Sequence, residues 1–346
     1  MIEKVHIFPP LPERPEPDVV GPASPEKKEK YKKLIVDRFG ERHYEQIPEE
    51  KRKILEVLEY DKKDYEKKAI KVINDFTNAI LSDFGLPAFD IPERNIHIVP
   101  NSLFEKIEED EKTKAVTIAK EQAIVINAEK IINPIGRVST IFHEMIHLKS
   151  YLSLEGYDDN FVKIRRIGLK VYPSRAKTRK FGDYIFFKGL NEAVVSEIQK
   201  KYFHYIIVFH GVLPDDIKNW DFSMEARQLK REIAEREKLE IDEIVWVSKD
   251  GKDFGVFPYY EQRKVLDYIV DVLYSDNFKE FDSKDDILKL FFKAHFNGKL
   301  LSIARLIEKS FGEDSLRVVG MMSHDDPNSA RLTLQYLIKH RKKSNR

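Results

Sequence analysis

The sequence predicts an α+β protein in which a small mixed sheet packs against a long helix and further helices surround both. Three short segments rich in Ile and Val, at 95–99, 115–119 and 123–127, have the length and composition of strands. Apolar residues recur at helical spacing before these segments and through most of the C-terminal part. Of the 346 residues, 42% are hydrophobic and 34% are charged, which is enough to form a core beneath a charged surface.

Four regions follow from composition and periodicity along the chain. Seven prolines between positions 9 and 25 predict a Pro-rich, disordered leader at 1–25, because proline lacks an amide donor and fixes φ. Helical spacing then predicts an N-terminal helical region at 26–90, with Gly85 as a stop. The predicted strands belong to a core at 91–210, and a helical subdomain is expected at 211–346.

The composition excludes several kinds of protein. The chain has no cysteine, so disulfides, thiolate metal sites and cysteine nucleophiles are ruled out. Its 60 basic and 59 acidic residues give a net charge of +1, without the overall positive charge of a nucleic-acid-binding protein. The N-terminus holds no apolar segment of signal-peptide length, and the most apolar later run, 202–213, is too short to span a bilayer. We expect a cytoplasmic protein without a membrane span, and no pattern indicates its oligomeric state.

A long helix is predicted after the strands. Asn133 is a favoured N-cap residue and Pro134 suits the first helical position, so the helix is expected to begin there. It should continue to Glu155, with Gly156 as the stop. A hairpin within 161–187 is expected to follow it, and then a second helix.

The long helix carries His143-Glu144-Met145-Ile146-His147, an H-E-x-x-H motif. Residues four apart lie one turn apart on the same face, so both imidazoles can reach one metal ion. Glu144 is rotated about 100° from His143 around the helix and can flank the ion without binding it. There it could accept a proton from a water bound to a catalytic zinc. The alternative is an ordinary amphipathic helix that carries two histidines.

A catalytic zinc site needs a third protein ligand, and the sequence after the motif narrows its identity. Ser150 and Ser153 stand where the extended metzincin motif requires glycine and histidine, which excludes that branch. Further along, Asn191-Glu192-Ala193 lies near the start of the second predicted helix. Together with the H-E-x-x-H motif, this run resembles the gluzincin metallopeptidases, whose second zinc helix begins with such a signature.

The resemblance extends from residue 95 to residue 192. It implies a zincin-like fold in which His143, His147 and Glu192 bind Zn²⁺ and Glu144 is the general base. An enzyme of this kind hydrolyses peptide bonds with a zinc-bound water that the glutamate activates, so the implied substrate is a peptide or protein. The C-terminal half resembles no family that we identify from the sequence.

The chain departs from the gluzincin pattern at two points. Between His147 and Glu192 lie 44 residues, a longer interval than in familiar members, and the predicted hairpin accounts for the excess as an insertion. Those members often carry a supporting carboxylate one turn after the ligand, where this chain has Ser196, and the nearest acid is Glu197. Asn191 and Glu197 are therefore expected to support the ligands. Glu197 as the ligand itself is the alternative, and the Asn-Glu-Ala context favours Glu192.

A peptidase also needs a hydrogen-bond donor for the oxyanion, which in gluzincins is usually a Tyr or a His. We predict Tyr260 for this role, at the head of the predicted helix that holds Glu261 and Arg263. Core packing is the more common role of an aromatic residue at such spacing. The other candidates are Tyr172, Tyr184, His204, His210 and Tyr259.

A zinc-dependent metallopeptidase is the predicted function, and two others remain open. The segment 163–180 carries eight basic residues and no acid, next to the predicted site. A catalytically silent zincin scaffold could use this basic hairpin or the Pro-rich leader to bind a partner. Nucleic acid could bind the same segment, although the overall charge gives no reason to expect it. Glu144 favours the peptidase, because a structural metal site has no use for a base, and an edge strand within 115–127 is expected to pair with an extended substrate.

Overall fold

The computed structural model describes residues 14–40, 43–47, 49–108, 110–174 and 184–341. Its strands are β1 (Asp18–Val20), β2 (Ile96–Val99), β3 (Ala115–Ile118), β4 (Ala123–Asn127), β5 (Leu152–Gly156), β6 (Val162–Ile167), β7 (Lys170–Val171), β8 (Ile244–Val247) and β9 (Phe254–Val256). Its helices are α1 (Pro25–Asp37), α2 (His43–Gln46), α3 (Glu49–Leu58), α4 (Asp64–Asp83), α5 (Asn101–Phe104), α6 (Pro134–Lys149), α7 (Lys188–Phe209), α8 (Asp215–Asp221), α9 (Met224–Glu237), α10 (Tyr260–Asp276), α11 (Lys284–Asn297), α12 (Leu301–Phe311), α13 (Ser315–Gly320) and α14 (Pro327–His340). Within this part of the chain, no helix is both long enough and apolar enough to cross a membrane.

The predicted strands form a three-stranded mixed sheet in the order β2-β4-β3. β2 runs parallel to β4 and β3 runs antiparallel to it, with Thr117 opposite Ile124. Helix α6 packs against this sheet, and Ile96, Ile124 and Ile126 lie in the same buried core as Phe142 of the helix. The predicted α+β class, with a small mixed sheet beside the long helix, is therefore confirmed. β3 is one of the two edge strands of this sheet.

Helix α6 begins where the sequence predicts but ends earlier. The side chain of Asn133 accepts hydrogen bonds from the first helical amides, and Pro134 occupies the first turn. The helix ends at Lys149, and the following residues form β5, so the predicted continuation to Glu155 is wrong. Leucines alternate with polar residues in β5, and this period of two is that of a strand, with Leu152 and Leu154 buried in one apolar cluster.

The leader is ordered in the part that the structure describes. β1 lies at the edge of a second sheet, in the order β1-β5-β6-β7, and pairs in parallel with β5. Arg14 is buried and donates a hydrogen bond to the backbone carbonyl of Leu148, 2.5 Å away. The prediction of disorder is therefore wrong for residues 14–25, because the prolines flank β1 instead of interrupting it. Residues 1–13, with the other prolines, lie outside the described residues.

The predicted hairpin has a different strand pairing. β6 pairs with β5 on one side and with β7 on the other. Phe186 contacts the sheet through an isolated bridge to Val171. Residues 175–183, which include four of the eight basic residues of 163–180, lie outside the described residues. The binding functions considered for the basic hairpin and the leader therefore stay predictions.

Helices dominate the C-terminal part, as predicted, although a two-stranded hairpin of β8 and β9 interrupts them. One buried apolar cluster includes Ala69 of α4, Phe142 of α6, Val194 of α7 and Leu337 of α14. The helical regions before and after the sheet thus share a core with it. Helix α7 contacts α4, α6, α10, α11 and α13, so its position is fixed from several directions.

Two buried histidines connect α2 to the first sheet. The Nε2 atoms of His43 and His97 lie 2.9 Å apart, and His43 Nδ1 lies 2.8 Å from the carbonyl oxygen of Arg38. On the far side of the pair, His97 Nδ1 lies 3.0 Å from a carboxylate oxygen of Glu59. Burial lowers the pKa of His43 to about 4, because the protonated ring would lose its hydration there.

We expect this pair to make the fold sensitive to acid. The usual pKa of His43 is 6.5, so the unfolded chain binds the proton first as the pH falls. The free energy of unfolding therefore has its full value above pH 6.5 and decreases by about 3 kcal/mol as the pH falls to 4. Denaturant unfolding of the wild type and of His43→Gln at both ends of this range measures the effect. If the difference in the free energy of unfolding between the wild type and His43→Gln did not change with pH, the prediction would be contradicted.

Candidate metal centre

Three buried side chains converge where α6 packs against α7. The Nε2 atoms of His143 and His147 are 3.2 Å apart, and Glu192 Oε2 lies 3.4 Å and 2.9 Å from them, respectively. One ligand atom from each residue lies within 4.8 Å of the other two. Two imidazole nitrogens and a carboxylate oxygen that face one another in this way could hold a metal ion.

The two helices bring these ligands together from distant parts of the sequence. On α6 the histidines are one turn apart, with ring centroids 4.8 Å from each other. On α7, Glu192 lies near the start of the helix, and its neighbours Ala193 and Val194 are buried in the core that also holds Phe142. This apolar contact between α6 and α7 sets the distance between Glu192 and the histidines.

A hydrogen-bond relay fixes which nitrogen of His143 carries the proton. The side-chain amide of Gln199 donates to the carbonyl oxygen of Ser139 at 2.6 Å and to its hydroxyl at 2.7 Å. The side-chain oxygen of Gln199 is therefore the atom that faces His143 Nδ1, 3.2 Å away, and it accepts a hydrogen bond from this nitrogen. In the neutral ring the lone pair is then on Nε2, which faces the other ligands.

We expect Gln199→Leu to lower the metal affinity about 10–100-fold. Leucine keeps much of the bulk of the side chain but cannot hold the Nδ1 proton of His143. Competition with a chromophoric chelator measures the affinity. Ser139→Ala spares the bond from Gln199 to the backbone carbonyl and is the milder control. Equal affinity in Gln199→Leu and the wild type would show that the relay does not support metal binding.

The electrostatics of the group also suit a cation. Burial alone would raise the pKa of Glu192, but the charges of His147 and Lys170 hold it well below its usual value. Burial lowers the pKa of His147, and its Nδ1 atom has no hydrogen-bond partner among the described residues. The neighbouring His295 stays neutral, because burial lowers its pKa to about 3. An ionised carboxylate beside two imidazoles is a donor set for a divalent cation.

Glu144 adjoins this group of three residues and is not one of its members. One of its carboxylate oxygens accepts a hydrogen bond of 2.7 Å from the Thr117 hydroxyl, on the edge strand β3. The same hydroxyl lies 3.1 Å from the backbone carbonyl oxygen of Glu144. This double contact holds the buried carboxylate between α6 and β3. A carboxylate at this place is what the H-E-x-x-H spacing predicts.

The two residues predicted to support the ligands have different surroundings. Asn191 adjoins the site: its amide nitrogen lies 3.5 Å from Glu192 Oε1, and its oxygen accepts a hydrogen bond from the amide of Leu169 at 2.9 Å. Glu197 instead accepts a hydrogen bond of 3.1 Å from the buried Arg263, which also binds a second glutamate. The group of described residues that could hold a metal ion contains Glu192 and does not include Glu197.

Tyr259, one residue before the predicted Tyr260, lies beside the site. The Tyr259 ring is stacked with that of His143, with centroids 6.0 Å apart, and also with that of His324, at 6.3 Å. Its φ of 59° lies in the left-handed region, directly before α10. A residue other than glycine is uncommon there and persists where its surroundings fix it. The ring of Tyr260 contacts Lys264 instead, 4.2 Å from the ammonium nitrogen.

Sequence reasoning does not single out Thr117, Lys170 or Gln199, although all three contact the site. Gln199 could have been predicted from helix periodicity, because it lies seven residues after Glu192 and therefore on the same face of one helix. Thr117 carries no such signal, and Lys170 is predicted only as one of the eight basic residues of 163–180. Thr117 and Lys170 reach the site through strand pairing and loop geometry, which the local sequence does not specify.

The chain matches no protein-family model, no curated protein and no solved structure. The fold and the site by themselves define its class: an α+β protein with a buried group of two histidines and one glutamate that could hold a metal ion.

Proposed function

We propose that this protein is a zinc-dependent metallopeptidase of the zincin type. The observation that carries the proposal is the convergence of His143, His147 and Glu192, with Glu144 beside them. Two histidines and one glutamate form the ligand set of a known class of catalytic zinc sites, which keep one position open. The facing, buried donor atoms of this group fit such an ion. Zinc held there would polarise a carbonyl group and lower the pKa of water to about 7.

Glu144 would take the proton from the water that attacks the peptide carbonyl. The hydrogen bond from Thr117 engages Oε2 of this carboxylate, and the other oxygen remains for proton transfer. The same carboxyl group can then donate the proton to the leaving amine. Thr117 thus orients the base, while the base alone exchanges protons with the reacting groups.

Tyr259, in place of Tyr260, is the proposed donor for the oxyanion. Burial, and then the charges of Glu192 and Glu144, raise the pKa of Tyr259 well above its usual value. The phenol therefore keeps its proton and can donate a hydrogen bond to the negative charge that develops on the carbonyl oxygen. The stacking of the Tyr259 ring on His143 supports this role.

Strand β3 is the proposed binding site for an extended peptide. It pairs with β4 on one side and forms the edge of its sheet. A peptide that adds to this edge would make main-chain hydrogen bonds with Ala115–Ile118. Because Thr117 of this strand bonds to Glu144, a scissile bond held along β3 would lie close to the base. Recognition through the backbone agrees with a peptide or protein substrate.

Incubation of the purified protein with a complex peptide mixture tests this function. We expect new peptide termini, detected by mass spectrometry, that disappear when a chelator is added and return with zinc. Metal analysis of the wild type and of His143→Ala, which removes one ligand, tests the metal centre separately. A wild-type protein that binds one zinc ion per chain but leaves every peptide intact would contradict the peptidase and retain the metal centre.

A further inference from the structure

The segment between the two metal-binding helices returns into the metal centre. It forms β5, β6 and β7, and Lys170 of β7 reaches Glu192, with 3.3 Å between Nζ and Oε1. The Lys170 side chain is only 20% exposed, so this contact is largely shielded from water. The long interval between His147 and Glu192 thus supplies a cation to one of the proposed ligands.

The turn before Lys170 is fixed to the start of α7. Gly168 has a φ of 53°, in the left-handed region, and a Cβ atom there would lie 2.6 Å from the side-chain oxygen of Asn191. The amide of Leu169 donates a hydrogen bond to that same oxygen. Since Asn191 directly precedes Glu192, the turn and the ligand are held together at two successive residues of α7. The approach of Lys170 to Glu192 is therefore set by the backbone.

The two carboxylate oxygens of Glu192 have different partners. Oε2 faces the Nε2 atoms of His143 and His147, whereas Oε1 faces Lys170 Nζ and the amide nitrogen of Asn191. A lysine ammonium is a compact point charge that can hold a single oxygen. A carboxylate can bind a metal through one oxygen or through both, and Lys170 engages the oxygen that faces away from the histidines.

We propose that Lys170 is a positioning residue that limits Glu192 to a single bond with the metal. This inference rests on the metal site of the proposed function. With one bond from each of three ligands, a tetrahedral site keeps a position for water or substrate. A second oxygen from Glu192 would occupy part of that space. Lys170 supports turnover in this way through Glu192, without contact with the substrate.

Cobalt(II) in place of zinc tests the proposal, because cobalt absorbs visible light strongly in four-coordinate sites and weakly at higher coordination. The comparison uses Lys170→Met, which removes the charge, and Lys170→Arg, which keeps it. In Lys170→Met we expect a clear loss of cobalt absorbance at full loading and a fall in kcat of about tenfold or more, with KM little changed. Lys170→Arg should keep most of the cobalt absorbance and most of the wild-type kcat. Lys163→Met alters a lysine of the same hairpin that bonds to the carbonyl of Pro173, and it should match the wild type.

An unchanged cobalt spectrum in fully loaded Lys170→Met would overturn the role of Lys170 and leave the metal site intact. Failure of the wild type to bind one cobalt ion per chain would overturn the metal site itself, together with this proposal. Circular dichroism shows whether Lys170→Met folds. If it does not fold, Lys170→Gln removes the charge with a polar side chain. Its cobalt spectrum at full loading and its kcat are then compared with those of the wild type.

Discussion

Glu144→Gln is expected to lower kcat about 10²–10⁴-fold and to leave the metal content of the protein unchanged. Glutamine has nearly the shape of glutamate, and its side-chain oxygen can still accept the hydrogen bond from Thr117. It cannot take a proton from water, so the step assigned to the base is lost. Steady-state kinetics on a peptide from the cleavage experiment give kcat, and metal analysis gives the metal content of the variant.

Thr117→Val is the matched control for this substitution. It removes the hydroxyl that orients Glu144 but keeps the shape of the side chain and the base itself. We expect a smaller fall in kcat and the same metal content. Turnover at the wild-type rate in Glu144→Gln would rule out Glu144 as the base. Loss of metal in that variant would assign Glu144 to metal binding instead.

Substitutions of residues that support metal ligands typically lower the metal affinity ~10–100-fold. Glu192→Gln changes a proposed ligand itself, so we expect it to lower the affinity by more than this. The amide carries no charge and is a poor metal ligand compared with a carboxylate. The substitution also leaves the half-buried Lys170 ammonium without its counter-charge, so the free energy of unfolding should fall as well. Chelator competition on the folded protein measures the affinity, and denaturant unfolding measures the stability.

Glu197→Gln makes the same chemical change in the acid that the sequence leaves as the alternative ligand. Arg263, its partner, would keep a hydrogen bond to Glu243. We therefore expect unchanged metal affinity and a modest loss of stability. The reverse result, with metal lost from Glu197→Gln and kept by Glu192→Gln, would assign the third ligand to Glu197.

Much of the fold could be predicted because local signals specify it. The strands of the first sheet lie close to their predicted bounds, and α6 begins at the predicted Asn133 cap and Pro134. The end of α6 and the order in the leader could not be predicted. Both depend on the pairing of β1 with β5, two segments that are far apart in the chain. The alternation of leucines in β5 is a local cue for a strand, but the local sequence does not identify so distant a partner.

By itself, the sequence determined the candidate ligand pair and base on α6, because the spacing of H-E-x-x-H fixes their relative positions through helix geometry alone. Only the tertiary structure decided that Glu192 faces the histidines while Glu197 turns to an arginine. It also decided that Gln199 contacts His143 and that Lys170 contacts Glu192. These contacts arise where α6, α7 and the hairpin pack together, and that packing depends on the shape of the whole core rather than on spacing along one helix.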